Sequence, residues 1–295
     1  MMKSFASFTL SGKLPAFTIV FGFLILAFLF PLSAILSGAA IVLITIHAGP
    51  KNALSIVIAS ILALAICSFL ILKNPLLGAT TGLAQLLPSF IIASIFYSTR
   101  SLSLSMQMAA LLGAVSFILF SLLFPDNAQF WQKTLSPMLT PVLETSGYSK
   151  QESMQMIAQT SEFMLGLLIA SIVLVHSSIL LLGYLLYCQT TNSTQFSQDF
   201  RQMRLGKVLA IACVTIGVIA IATKSSFAAQ LCAILAILFF LQGMAVIHTT
   251  CGTMTKGKLW LIIAYFLVIF VPQTIVVVIL LGISETFLKL RERAA

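Results

Sequence analysis

Apolar runs of about twenty residues follow one another along this chain, separated by short polar links. They cover residues 15–33, 34–48, 53–72, 75–97, 102–124, 163–187, 207–223, 226–248 and 259–284. Within each run the apolar positions are continuous. A barrel strand would instead alternate over about ten residues. Lipid offers the backbone no hydrogen-bond partner, so continuous runs of this length predict helices. Pro31 interrupts residues 15–48, which as one helix would reach about 50 Å against a hydrocarbon core of about 30 Å. Two segments, the second short, fit better. Pro272 predicts a kink in the last run. The pattern predicts an all-α, polytopic transmembrane bundle of eight or nine spans, forming a single integral membrane domain over residues 1–295.

The segment 125–162 is the sizeable stretch outside these runs. Its portion around 127–160 predicts helix lying on the membrane surface. Phe130 and Trp131 supply interfacial aromatics, and Pro137 and Pro141 interrupt the apolar pattern. Ser149 and Glu152 stand at capping-box spacing and predict a helix that starts near Lys150 and runs on into the span at 163–187.

Composition agrees with the pattern: 60% hydrophobic, 8% charged and a mean hydropathy of +1.11. A soluble chain carries about 25% charged residues. The net charge of +9 sits in the links, as in Arg201, Arg204 and Lys207, or Lys256 and Lys258. That is the distribution of the positive-inside rule and of contact with anionic headgroups, not of a nucleic-acid surface. Lys3 and Lys13 precede the first run as in a secretion signal. The run exceeds the about 7–15 residues of a signal core, so it reads as an uncleaved first span. The cysteines, at 67, 188, 213, 232 and 251, lie far apart in sequence and read as free buried thiols.

Ionisable residues at bilayer depth mark function by default. The seven acids fall in links, at span edges or in the tail. This argues against an ion-coupled pump or an intramembrane protease, and no phosphate-binding loop is present. No enzyme, cofactor or metal is expected. The polar residues at depth are uncharged. Thr80, Thr81 and Gln85, His176 in mid-span, and Gln242 are the candidates to line a solute site. Small residues four apart, as at Gly78 and Gly82, let helices approach closely. With Ala34, Gly38 and Gly243 they are the candidates for helix packing or for a partner surface.

The Pro31-interrupted opening followed by "HAGPKNA", the link "QDFRQMRLGK" and the stretch "FLQGMAVIH" resemble the YybS-like family of bacterial membrane proteins. That resemblance implies a location in the bacterial inner membrane. It also implies a distant similarity to the substrate-binding membrane components of energy-coupling-factor vitamin transporters. There, a small-residue surface on the first helices meets a coupling protein, and Ala34 and Gly38 are the matching positions here. Two functions follow as expectations. One is a transport-type protein binding a small, largely uncharged solute within the bundle. The other is a non-transporting scaffold for an envelope or cell-shape complex. In both, the lipid bilayer is the constant partner, with a small-molecule ligand or a membrane coupling or scaffold protein beside it.

With the N-terminus inside, nine spans place the C-terminus outside and eight place it inside. A reporter fused after Ala295 therefore separates the two counts.

Overall fold

The computed structural model describes residues 2–293, with side chains described through Arg291. Every regular element among the described residues is a helix. The chain order is α1 (Met2–Thr9), α2 (Lys13–Leu26), α3 (Ser33–Ala48), α4 (Pro50–Leu72), α5 (Pro75–Thr99), α6 (Leu102–Leu123) and α7 (Asn127–Thr145). There follow α8 (Lys150–Thr190), α9 (Gln195–Gln202), α10 (Lys207–Thr223), α11 (Ser226–Thr253), α12 (Gly257–Phe270), α13 (Gln273–Leu288) and α14 (Leu290–Arg293).

Five helices are long and apolar enough to cross a membrane: α4, α5, α6, α8 and α11. The pair α9 and α10, bent by 48°, makes six if it counts as one span. Four more apolar helices, α2, α3, α12 and α13, have 14 to 16 residues each. The protein is thus a multi-pass helical membrane protein by length and composition. The expected run at 259–284 is corrected in one respect. Pro272 does not merely kink it but separates α12 from α13, since proline lacks the N–H that would carry the ladder across.

The expected helix start near Lys150 is present. The Ser149 backbone N–H donates to Glu152 Oε2 at 2.8 Å, and the Glu152 N–H donates to Ser149 Oγ at 3.3 Å. These reciprocal bonds satisfy two orphan donors at the end of α8. The helix then continues for 41 residues. The segment around 127–160, expected on the membrane surface, divides between α7, which holds Pro137 and Pro141 inside it and buries none of its residues, and the start of α8.

Contacts group the chain into two compact units. The first takes Met1–Ala109 and Val175–Arg204, the second Ala110–Leu174 and Leu205–Ala295. Their boundaries fall inside α6 and α8, so no linker composition announces them.

In the first unit the short helix α3 forms the centre. Every residue from Ser37 to Ile46 is buried. Its Ala40, Ile41 and Ile44 pack with Val20 and Leu24 of α2, Ile56, Val57 and Leu64 of α4, and Leu86 of α5. A helix apolar on all sides suits such a position. Ser33 Oγ donates to the Phe23 carbonyl at 3.0 Å and Ser37 Oγ to the Val20 carbonyl at 2.8 Å. Those two bonds, running in opposite directions along the sequence, make α2 and α3 an antiparallel hairpin. Close approach also ties in α8. A Cβ at Gly183 would meet the Val42 side chain at 2.5 Å and the Ala39 carbonyl oxygen at 2.8 Å.

In the second unit α11 and α13 touch backbone to backbone. A Cβ at Gly243 would overlap the Val278 carbonyl oxygen, and one at Gly282 would overlap the Phe239 carbonyl oxygen. Small residues earn their place here because lipid supplies no hydrophobic drive between helices, leaving packing and hydrogen bonds to hold them.

Gly282→Ala or Gly243→Ala forces α11 and α13 apart and should cost about 1–3 kcal/mol, the range for overpacking. Gly22→Ala on α2 meets open space. It should be neutral or stabilising by up to about 1 kcal/mol, because alanine is the better helix former. The thermal midpoint of purified Gly282→Ala or Gly243→Ala protein should therefore fall, while that of Gly22→Ala protein should hold or rise.

Candidate functional site

Four of the five candidate solute-lining residues lie in the first unit, and Gln242 lies in the second. Thr80 and Thr81 stand on α5, and their hydroxyls bond to carbonyls one turn back on the same helix. Thr80 Oγ1 donates to Leu76 at 2.8 Å and Thr81 Oγ1 to Leu77 at 2.8 Å. Gln85, one turn further along α5, reaches out of its helix. Its Nε2 donates to the Ala34 carbonyl of α3 at 2.9 Å. His176 is buried on α8. The three cavities described below are lined by none of these residues.

Gln242 is fully buried and saturated. Its Oε1 accepts the Leu205 backbone N–H at 2.7 Å, and its Nε2 donates to the Gly282 carbonyl at 2.6 Å and to Thr286 Oγ1 at 2.8 Å. Leu205 sits in the link before α10, whose N–H groups lack partners within the helix. One side chain of α11 therefore holds both that link and α13. This is a clasp, with no polar atom left to offer a solute.

The small-residue candidates are likewise engaged within the chain. A Cβ at Gly78 would overlap the Leu64 carbonyl oxygen of α4, and one at Gly82 would lie 3.1 Å from the Ile61 side chain. Gly38 is buried against Ile179 of α8 and Ser89 of α5, and the Ala34 carbonyl takes the Gln85 amide. Of the two readings of Gly38, helix packing or a partner surface, these contacts within its own unit fit packing.

Two further polar clasps gave little sign in the sequence. Gln230 of α11 is buried, and its Oε1 accepts the Gly166 N–H of α8 at 2.8 Å. Gly166 admits it, since a Cβ there would collide with the glutamine stem. The pairing of a glycine on one apolar run with a glutamine on another was the only signal. Glu285, at the end of α13, is 1% exposed and bonds Arg291 Nε at 2.8 Å and the Arg291 N–H at 3.2 Å. A carboxylate buried to that degree is held by its cation and by backbone donors.

Open space lies elsewhere. In the second unit the elbow between α6 and α7 opens a crevice of about 600 Å³, lined by Phe120, Leu123, Phe124, Asp126, Trp131 and Leu168 among others. Its volume is within the about 300–1,000 Å³ of small-molecule sites. Local sequence builds the elbow. Pro125 disfavours helical geometry at Phe124 and ends α6. The Asn127 side chain then donates back to the Phe124 carbonyl at 3.0 Å, and its backbone N–H does so at 3.1 Å, closing the turn. In the first unit an apolar groove of about 480 Å³ runs between α2 and α4, beside Gly22, Leu26, Leu29, Leu64 and Leu72. A pocket of about 200 Å³ lies beside Gly12, Lys13, His47 and Asn52. Sequence reading passed over the elbow because its residues straddle a span end and a surface segment.

Gln242→Leu orphans the Leu205 N–H and removes one of the donors to the Gly282 carbonyl, which keeps the Thr286 hydroxyl, and should lower stability by roughly 1–3 kcal/mol. Thr80→Val removes only a bond within its own exposed helix turn and should change stability by less than about 0.5 kcal/mol. Denaturation of the two variants in the same detergent tests the contrast. No protein-family model, curated protein or solved structure matches this chain.

Proposed function

We propose that this is a transport-type membrane protein that captures a small, mostly apolar molecule from the lipid phase in the crevice at the α6–α7 elbow. The observation that carries this reading is the crevice itself: about 600 Å³, lined by four aromatic rings and three leucines, with Asp126 and Asn127 among them. A site of that character is the default binding hypothesis. Of the uncharged polar residues at depth, the first candidates for a solute site, Thr80, Thr81, Gln85 and Gln242 bond between helices or within them. The scaffold reading loses support for a related reason, because Gly38, Gly78, Gly82 and Gly243 face the protein's own helices.

The same proposal takes α2 and α3 as crossing the membrane, although each is short. Ala16 of α2 packs in one cluster with Ile56 of α4, and Leu29 beyond its other end shares a groove with Leu72. The hairpin thus runs alongside most of a full-length span. Adding α2 and α3 to the five long helices and the bent pair gives eight crossings, and α12 with α13 as one broken crossing gives nine. The YybS-like resemblance, with its bacterial inner-membrane setting, belongs to this proposal on the motifs already given.

Trp131 lines the crevice and Trp260, on α12, does not. In Trp260→Phe protein in nanodiscs, a brominated long-chain alcohol should quench Trp131 along a saturating curve. Quenching that rises in simple proportion to the alcohol dissolved in the lipid would contradict a site.

A further inference from the structure

We infer that the molecule taken by the α6–α7 crevice carries one positive charge on its polar end, an organic ammonium joined to an apolar tail. This rests on the reading of the crevice as a binding site and names the chemistry it selects. Three observations lead there.

The first is the aromatic wall. Phe120, Phe124, Phe130 and Trp131 all line the crevice. Phe120 and Phe124 stack one turn apart at 5.7 Å, and Phe130 and Trp131 meet edge to face at 5.5 Å. Ring faces carry negative charge density, and clustered rings are a recurrent device for holding quaternary ammonium groups. Leucines alone would have served an uncharged tail.

The second is Asp126, the carboxylate among the lining residues. It occupies the position that precedes α7, where an aspartate ordinarily accepts from the helix's own N–H groups. It does not do so here. Its backbone, at φ −85° and ψ 18°, is outside the extended region from which a side chain reaches those donors. The carboxylate takes no hydrogen bond or ion pair from the described residues, and remains available to a cation at the mouth of the crevice.

The third is the layout. Asp126 and Asn127 sit at the elbow, while Leu123, Leu165 and Leu168 line the apolar wall. The side-chain amide of Asn127 donates to the Phe124 carbonyl. A head with one positive charge beside the elbow and a tail along the leucines satisfies each wall. An anionic head would meet the Asp126 carboxylate. Lys133, the nearest cation along α7, lies two residues beyond Trp131, is exposed, and is not part of the lining.

The test uses Trp260→Phe protein in nanodiscs of zwitterionic lipid, titrated with three amphiphiles of one tail length: an alkyltrimethylammonium, the alkyl alcohol and the alkyl sulfate. Trp131 emission is the readout, with each probe's concentration in the lipid measured independently. The cation should bind about tenfold tighter than the alcohol, and the sulfate weaker than both. Asp126→Asn should erase the cation's advantage and leave the alcohol unchanged. The Asp126 carboxylate makes no hydrogen bond to the helix it precedes, so this variant should melt close to the parent. Leu168→Phe narrows the crevice and should weaken every probe that binds. If alcohol and cation bind equally in both parent and Asp126→Asn protein, the charge inference is overturned while the crevice reading stands. If no probe saturates and Leu168→Phe changes nothing, the crevice reading itself fails.

Discussion

A hydrogen-bonding group in the middle of a bilayer has no water to turn to, so it must find its partner inside the protein. That constraint orders most of what holds this chain together. Gln242 joins three segments through one amide. Gln85 ties α5 to α3, Ser33 and Ser37 tie α3 to α2, and Gln230 ties α11 to α8. Each such bond works only if the helices come close. Glycine at 78, 183, 243 and 282 permits that approach by leaving room for a neighbour's carbonyl or side chain. Small residues and polar residues therefore act as a pair: one brings the backbones together, the other fastens them.

The same economy shapes the functional reading. Gln85 and Gln242 turn their amides to the backbone of neighbouring segments. Recognition moves to a place where the chain changes direction and cannot pack fully. At the α6–α7 elbow, Pro125 ends one helix and Asn127 starts another, and the aromatic side chains on either flank leave a crevice between them. An aspartate there escapes the ordinary duty of capping because its backbone is held in the wrong region. Its availability comes from local geometry rather than from its place in the sequence.

Much of the architecture was legible in the sequence because lipid makes the helix signal strong. The run at 207–223 matches α10 residue for residue, bounded by Gly206 and Lys224, both at positive φ. The start of α8 followed from Ser149 and Glu152 alone. The candidate site was much less legible. Polarity at depth marked Gln85 and Gln242 but could not say which way they face, and in a membrane a buried glutamine serves a neighbouring carbonyl as readily as a ligand. Gln230 lies near the edge of its run, where polar residues are ordinary. The boundaries of the two compact units fall within α6 and α8, so no change of composition marks them. The split at Pro272 was read as a kink because a proline's effect depends on what packs beside it.

The central claim is that polar side chains inside the bundle fasten helices, while the ligand sits at the elbow. A high-resolution map of the protein in nanodiscs saturated with an alkylammonium amphiphile tests it most directly. The account predicts density for the head beside Asp126 and for the tail along Leu165 and Leu168. It predicts unbroken bonds from Gln85 to Ala34 and from Gln242 to Gly282. Ligand density beside Gln85, His176 or Gln242, with those bonds opened and the crevice holding nothing specific, would contradict it.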